Sequence, residues 1–241
     1  MRCNLEIAFL LLFTSVAIAF AARFIGRKQQ LILETTTTTV SELREGYFQI
    51  KGRVRGSAPT LLSPMSNLPC VYYEFLVKQR VHVRVKGEST LKTVVKDIQG
   101  VPCMVEDGTG SAAVELMAAD MELYQDHQDS SKTFKSPSSA MREMLKQRYQ
   151  FSTKGAFLNK ELFYEETILE EGDEVYVLGQ VETAPDGPRF VKGGPAFIVS
   201  DFKKEQLGQR YARQANFLRV IAVAVAIVAF LFIYVVITQG I

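Results

Sequence analysis

Apolar residues are concentrated at the two ends of this 241-residue chain, whereas apolar and polar positions alternate through the middle. Residues 5–22 read LEIAFLLLFTSVAIAFAA, with Glu6 as their only charge. Residues 220–238 read VIAVAVAIVAFLFIYVVIT and contain no charge and no polar stripe. A transmembrane helix needs about 20 apolar residues. The pattern therefore predicts two membrane spans around a central domain.

The first apolar run also has a feature of a cleavable signal peptide, because Ala19-Phe20-Ala21 supplies the small residues that a signal peptidase accepts. Its charges favour a retained anchor, since Arg2 before the run is offset by Glu6 and basic residues follow the run. Residues 1–28 are predicted to be a membrane helix with a basic flank, and cleavage is the alternative.

Both apolar runs carry basic residues on the side of the central domain. These residues are Arg23, Arg27 and Lys28 after the first run, and Lys203, Lys204, Arg210, Arg213 and Arg219 before the second. Lys and Arg accumulate on the cytoplasmic side of membrane proteins. We therefore expect a cytoplasmic central domain at a prokaryotic inner membrane, with an organellar membrane as the alternative.

Residues 202–219 are predicted to form a basic juxtamembrane helix that continues into the second span, residues 220–241. Ser200 or Asp201 is the candidate N-cap. Its cations could contact anionic headgroups, but the interspersed Gln, Ala and Glu residues favour an ordinary positively charged flank.

The middle of the chain, residues 47–201, has the pattern of a mainly β domain. Residues 29–46, including the run Thr35–Thr39, are predicted to be a linker leading into that domain. The polar residues 126–139 are predicted to form an exposed insertion before a short helix at 140–149. Many short strands separated by turns predict a small barrel or sandwich, with the oligonucleotide-binding barrel as one candidate. The predicted strands are residues 47–55, 70–86, 91–98, 101–106, 113–117, 162–169, 174–181, 189–191 and 196–199.

The formal net charge is only +2, from 28 basic and 26 acidic side chains. No long-range basic field therefore indicates nucleic acid as a partner. Three cysteines, Cys3, Cys70 and Cys103, are too few and too scattered for a disulfide framework, although a Cys70–Cys103 bridge stays open.

No group of residues predicts a catalytic, metal or cofactor site. His82 and His127 lie in separate segments, and the glycine turns lack the ending of a phosphate loop. The acidic residues between 165 and 174 are interpreted as a solvated rim. Tyr73 and Phe75 share one strand face, where core packing is preferred over base stacking.

Five motifs occur in order between the two apolar runs. They are Leu62-Ser63-Pro64, Pro69-Cys70-Val71-Tyr72-Tyr73-Glu74, Val105-Glu106-Asp107-Gly108-Thr109-Gly110, the stretch 166–178 with Gly172 and Asp173, and Phe197-Ile198-Val199-Ser200-Asp201. Together they resemble the GIDE, or beside-a-membrane, domain of MULAN-type organellar E3 ubiquitin ligases over most of residues 40–205. We expect the motif residues to be structural.

In the family that the chain resembles, ligase activity resides in a RING finger after the second membrane helix. A RING needs about eight Cys and His ligands for its two zinc ions, whereas this sequence has three Cys and two His and ends three residues beyond the second run. We therefore expect a non-enzymatic protein that binds a protein partner, or acts as a scaffold or sensor, at the lipid bilayer. Two alternatives are a component of a ligase-like system with a separate RING or catalytic chain, and a ligand- or oligonucleotide-binding barrel.

Overall fold

The computed structural model describes residues 2–56, 60–82, 89–131, 137–155 and 159–239. It divides into a helical unit, Met1–Thr36 with Lys203–Ile241, and a β unit, Thr37–Phe202.

Short 3-10 helices occur at Val40–Glu42 and Leu116–Ala118. In chain order the other described elements are α1 (Arg2–Glu34), β1 (Gly46–Gly56), β2 (Leu61–Leu62), β3 (Pro69–Cys70), β4 (Tyr72–His82), β5 (Ser89–Gly100), β6 (Cys103–Glu106), β7 (Ser111–Val114), β8 (Asp120–Glu122), β9 (His127–Ser131), α2 (Ser139–Tyr149), β10 (Leu162–Leu169), β11 (Glu174–Ala184), β12 (Gly187–Val191), β13 (Ile198–Ser200) and α3 (Lys204–Gln239).

The helical unit is an antiparallel pair of α1 and α3. Ser15 Oγ donates a hydrogen bond to Ala222 O (3.0 Å), and Lys204 Nζ donates to Thr35 O (2.8 Å). The helices have 33 and 36 residues, or about 50 Å each at 1.5 Å per residue. Their stretches Glu6–Glu34 and Lys204–Thr238 are long and apolar enough to cross a membrane.

Small residues at every seventh position form a buried row on each helix. A seven-residue period keeps such positions in one seam along a pair of helices. Within the two apolar runs the large side chains face outward, which is the reverse of a helix pair in a soluble core. The large buried residues of these helices, Ile32, Leu207 and Tyr211, lie outside the runs. The buried small residues are Ala8, Ser15 and Ala22 on α1 and Ala215, Ala222 and Ala229 on α3. Exposed large residues include Phe9, Phe13, Phe20, Phe230, Leu231 and Ile237.

Five strands of the β unit close into a barrel in the order β1-β6-β7-β12-β11-β1. β1 pairs antiparallel with β11 over residues 46–53 and with β6 over residues 53–56. The β6–β7 and β11–β12 pairs are antiparallel hairpins, and β7 runs parallel to β12. This arrangement is that of the oligonucleotide-binding barrel. The prediction of a mainly β fold between two long apolar helices is confirmed.

β1 bends from one neighbour to the other at Gly52, where the strands approach closely. A Cβ atom at Gly52 would lie 2.6 Å from Glu106 O and 2.7 Å from Val105 Cγ1. Only glycine fits such a close approach without moving the backbone of β6. Gly52 therefore permits the bend that closes the barrel.

A second sheet, in the order β5-β4-β10-β9, comes from the two long connections of the barrel. One connection joins β1 to β6, and the other joins β7 to β11. α2 packs on this sheet, and its Leu145 is fully buried with Tyr73, Phe75 and Tyr164. Tyr73 and Phe75 are thus core residues, as preferred from the sequence.

Most of the predicted elements are confirmed. The strand predictions at 47–55, 162–169 and 174–181 correspond to β1, β10 and β11. The helix predicted at 140–149 is α2, and the basic segment does continue as one helix, α3, through the second apolar run. Residues 83–86 of the predicted strand 70–86 lie outside the described residues.

The segment 126–139, predicted to be an exposed insertion, is exposed at residues 126, 128 and 129, but it also contains the strand β9, which was not predicted. β9 pairs antiparallel with β10, and Ser131 is buried with its hydroxyl 3.1 Å from Tyr164 OH. A polar segment can join a sheet because its backbone groups supply the pairing. Residues 132–136 of the insertion lie outside the described residues.

Two smaller expectations also need correction. The run Thr35–Thr39 is not all linker, because Thr38 N donates to Gln49 O (2.8 Å). Ser200 and Asp201 do not cap α3, which begins at Lys204. Both side chains bond within the β unit: Ser200 Oγ donates to a backbone carbonyl of β8, and the Asp201 carboxylate accepts from Tyr124 N (3.0 Å).

Candidate interaction surface of the β domain

β5 is the outer strand of the second sheet, and no described strand pairs with its outer edge. The strand has 12 residues, about 40 Å of extended chain. Its first five residues are exposed, and Leu91 is 50% exposed. Such an edge offers backbone N–H and C=O groups to which another extended chain can add. Two lysines are exposed on this strand: Lys92, and Lys96, whose Nζ lies 3.8 Å from the carboxylate of Glu74.

A polar cluster fastens β5 to α2. The Asp97 carboxylate accepts hydrogen bonds from Tyr149 OH (2.6 Å) and Tyr73 OH (3.0 Å), and it pairs with Arg148 Nη2 (3.1 Å). Arg148 also donates to Tyr73 OH and lies over both tyrosine rings. Sequence reasoning missed this cluster because its members come from three separate elements, and no local spacing brings them together.

The two tyrosines of this cluster act as hydrogen-bond donors. Burial raises the pKa of Tyr73 and of Tyr149 well above the ordinary value, and the hydrogen bond to Asp97 raises the pKa further. Both hydroxyls therefore stay protonated at neutral pH, which does not suit a base or a nucleophile. The arrangement positions β5 against α2.

Glu166 of β10 is fully buried, so the interpretation of the acidic residues 165–174 as a solvated rim is wrong at this position. Its carboxylate accepts from Met65 N (2.6 Å), Ser66 N (2.9 Å) and Ser66 Oγ. Strand alternation could have revealed it, because Glu166 shares a face with Leu162 and Tyr164. The neighbouring Glu165, on the other face, pairs with a lysine of β4 (2.6 Å).

The motif residues Asp107, Gly108 and Gly110 form the turn between β6 and β7, and this turn holds the start of the β unit. Asp107 Oδ2 accepts from Val40 N (2.7 Å), and Asp107 Oδ1 accepts from Thr109 N (2.9 Å). Although burial opposes the shift, these hydrogen bonds lower the pKa of Asp107. Gly108 has φ +86°, which favours glycine.

The motif residues Gly172 and Asp173 form the turn before β11 and bond to β1. Gly172 N donates to Val54 O (2.8 Å), and Val54 N donates to Asp173 O (2.9 Å). The Asp173 carboxylate accepts from Glu170 N (2.8 Å). These contacts keep the turn on the barrel.

The motif Pro69–Glu74 lies where β3 leads into β4, between the two cores. Tyr72 is buried in the barrel core, whereas Cys70 and Tyr73 are buried in the core of the second sheet. Pro69 is exposed, and Glu74 Oε1 lies 3.8 Å from Lys96 Nζ. This segment therefore joins the barrel to the second sheet.

Cys70 and Cys103 are free and buried. Burial raises the pKa of the Cys70 thiol to about 11 and that of the Cys103 thiol to about 12. A nucleophilic or metal-binding cysteine needs a lowered pKa. Both thiols fit the role of small core residues.

The outer face of β1 carries three cations, two of which pair with carboxylates of the adjacent strands β11 and β6. Lys51 Nζ lies 2.6 Å from the carboxylate of Glu174, and Arg55 Nε lies 3.0 Å from that of Glu106. Arg53 is exposed between them. The alternation of charge leaves no basic stripe of the kind that tracks a nucleic-acid backbone.

The predicted basic flank residues belong to the helical unit. Arg23, Arg27 and Lys28 lie on α1, and Lys203 directly precedes α3. The remaining residues of the set, Lys204, Arg210, Arg213 and Arg219, lie on α3. Of the two histidines, His127 lies in β9, while the side chain of His82 is outside the described part.

The structure defines a class of protein: a small closed β-barrel with an inserted second sheet, preceded and followed in sequence by two long apolar helices. The family model named GIDE, described as E3 ubiquitin ligase, matches residues 76–235. The chain belongs to the GIDE family, as the motifs indicated. The matched region runs from β4 into α3 and includes the turns at 107–110 and 172–173, whereas the motif at 69–74 precedes it. No curated protein and no solved structure matched the chain.

Proposed function

We propose that this chain is a membrane-anchored, non-enzymatic GIDE protein whose β domain binds an extended segment of a partner protein. The observation that supports a membrane anchor is the arrangement of α1 and α3. Small residues lie between the two helices, and large apolar residues lie on the outside. Helix pairs in lipid pack through small residues and turn large apolar side chains toward the acyl chains.

The free energy of exposing these side chains to water supports the anchor. Phe9, Phe13, Phe20, Phe230 and Leu231 are each at least 60% exposed. At about 2 kcal/mol for each side chain, their exposure alone would cost roughly 10 kcal/mol, which is comparable to the net stability of a whole domain. A bilayer removes that cost.

Extraction and flotation test the anchor. We expect the full chain to stay in the membrane pellet after alkaline carbonate treatment and to float with neutral phosphatidylcholine vesicles after reconstitution. A chain recovered in the soluble fraction would overturn the anchor.

We also propose that the β domain faces the cytoplasm, because both basic flanks adjoin it in sequence. Cysteines are introduced singly at Asp186, in an exposed turn, and at Gln239, in a chain with Cys3→Ser. Labelling of intact cells with an impermeant reagent at position 239 alone is the expected result. Labelling at position 186 would reverse the orientation.

Partner binding is assigned to the β5 edge because no described strand pairs with it, its first five residues are exposed, and it carries Lys92 and Lys96. The expected partner segment is an extended, acidic peptide that adds as a strand. A photocross-linking residue at Leu91 should give a discrete adduct that Lys92→Glu with Lys96→Glu abolishes. The same residue at Asp186, which is also exposed, is the control. Equal adducts at both positions, or adducts that resist charge reversal, would refute the assignment.

The absence of catalysis is supported by the tyrosine and cysteine pKa values and by the side-chain arrangement. Among the described residues, no three or more His, Cys, Asp or Glu side chains are placed to hold a metal ion. The family description favours a second candidate, a component of a ligase system whose catalytic chain is separate. Ubiquitin transfer by reconstituted enzymes that depends on this chain would favour that candidate.

A further inference from the structure

A basic pocket of about 530 Å³ lies between α1 and α3, at the level where both apolar runs end. Arg23 follows the first run directly, and Arg219 immediately precedes the second. Arg27 lies one turn further along α1, on the same face as Arg23. Three arginines from two helices therefore face one space.

The lining of this pocket is free of acidic side chains, and its other polar groups are the amides of Gln29 and Gln30. Arg219 Nη1 donates to Asn216 Oδ1 (3.0 Å), which holds the guanidinium without neutralising it. Lys51 and Arg55 on the barrel surface differ from these arginines, because both pair with carboxylates. The pocket thus concentrates positive charge that its own residues leave uncompensated.

Gly26 provides room for this arrangement. A Cβ atom at Gly26 would lie 3.1 Å from Arg219 Nη2. A larger side chain at this position would displace the guanidinium from the pocket. Glycine in a helix interior costs about 1 kcal/mol of stability relative to alanine. The close approach of Arg219 explains why a glycine occupies this position in spite of that cost.

We propose that this pocket binds the phosphate of an anionic phospholipid, in the leaflet where the apolar runs meet the rest of the chain. Guanidinium groups match phosphate through paired hydrogen bonds and remain charged at an interface. The pocket lies at the boundary between apolar and polar helix surface, which is the depth of lipid headgroups. Its volume exceeds that of a bare phosphate, and the glutamine amides suit the hydroxyls of a glycerol headgroup. This inference rests on the proposed membrane anchor.

Native mass spectrometry of the full chain in a maltoside detergent tests the pocket. Titration with phosphatidylglycerol should fill one tight site, at least about tenfold stronger than any site for phosphatidylcholine. Arg23→Gln with Arg219→Gln should abolish that preference. Lys203→Gln with Arg213→Gln removes the same charge from exposed positions outside the pocket and should leave the preference intact.

Gly26→Leu tests whether lipid binding depends on the space in the pocket or only on its positive charge. The leucine side chain fills the pocket without changing the charge, and it also raises helix propensity. It should weaken phosphatidylglycerol binding about as much as the arginine variant. Three outcomes would overturn the proposal. Phosphatidylglycerol and phosphatidylcholine bind equally, the two charge variants lose the lipid preference equally, or inorganic phosphate fills the site as well as the lipid does. Flotation with neutral vesicles is scored separately: loss of flotation refutes the anchor, whereas intact flotation without lipid preference refutes the pocket alone.

Discussion

Replacing Glu166 by glutamine tests whether a buried carboxylate holds the loop before β3. Glu166 is fully buried, and it accepts hydrogen bonds from Met65 N, Ser66 N and Ser66 Oγ. The variant Glu166→Gln keeps the size of the side chain but replaces one acceptor oxygen by an NH2 group. That group would face a backbone N–H, so two donors would oppose each other in a buried site.

The expected loss follows from these contacts. A hydrogen bond to a charged group contributes about 1.5–3 kcal/mol, and an unsatisfied buried donor costs about 1–3 kcal/mol. With one of the acceptor positions lost, we expect Glu166→Gln to lower the free energy of unfolding by about 2–4 kcal/mol. For a unit of this size, 1 kcal/mol shifts Tm by about 2–4 °C. The expected decrease is therefore roughly 5–15 °C.

The neighbouring Glu165→Gln is the matched control. Glu165 pairs with Lys78, and both side chains are partly exposed, so its loss should cost no more than about 1 kcal/mol. Thermal unfolding of the full chain in detergent, followed by near-UV circular dichroism, measures the difference. Hydrogen exchange should also accelerate at Met65 and Ser66 in Glu166→Gln only. Equal Tm values and equal exchange in the two variants would refute the assignment of Glu166 as the loop anchor.

Three further predictions address the barrel, the helix pair and the thiols. Gly52→Ala should lower Tm by at least about 5 °C, because the added Cβ would lie 2.6 Å from Glu106 O. The control Gly193→Ala should change Tm little, because the atoms nearest to its Cβ would lie 3.4 Å away. Ala222→Leu should destabilise the helix pair in detergent by about 1–3 kcal/mol through overpacking, and the exposed Val223→Leu should not. A chain that retains Cys103 as its sole cysteine should react with iodoacetamide at least about a hundredfold more slowly when folded than when unfolded, because burial both excludes the reagent and raises the thiol pKa to about 12. Comparable rates in the two states would contradict the burial of this thiol.

The fold was predictable where periodicity and turn residues agree. The two apolar runs, the strands β1, β10 and β11 and the hairpin at 107–110 could all be identified because local patterns determine them. The closure of the barrel could not, since the β7–β12 pair joins residues far apart in sequence. The strand β9 was missed because its side chains are polar and its backbone pairing leaves no hydrophobic period.

The candidate surfaces were less predictable, and the reasons differ. Glu166 and the small residues at every seventh position of α1 and α3 lie in regular patterns, so closer attention to strand alternation and to the heptad spacing would have found them. The Asp97 cluster and the arginine pocket depend on residues from separate elements. Their chemistry follows from tertiary contacts that no spacing along the chain encodes.

The motifs that identify the family and the surfaces assigned to function occupy different parts of the molecule. Asp107 holds the backbone at Val40, and the turn at Gly172 holds the backbone at Val54, so these motif residues keep the barrel closed. The β5 edge lies on the inserted second sheet, and the first five residues of the strand are exposed. We therefore expect substitutions at the exposed positions 89–93 of β5 to change the proposed partner binding at little cost in stability, whereas substitutions in the two turns should disturb the fold first. On this reasoning, family membership establishes the scaffold, and we propose that the sheet edge determines which partner binds.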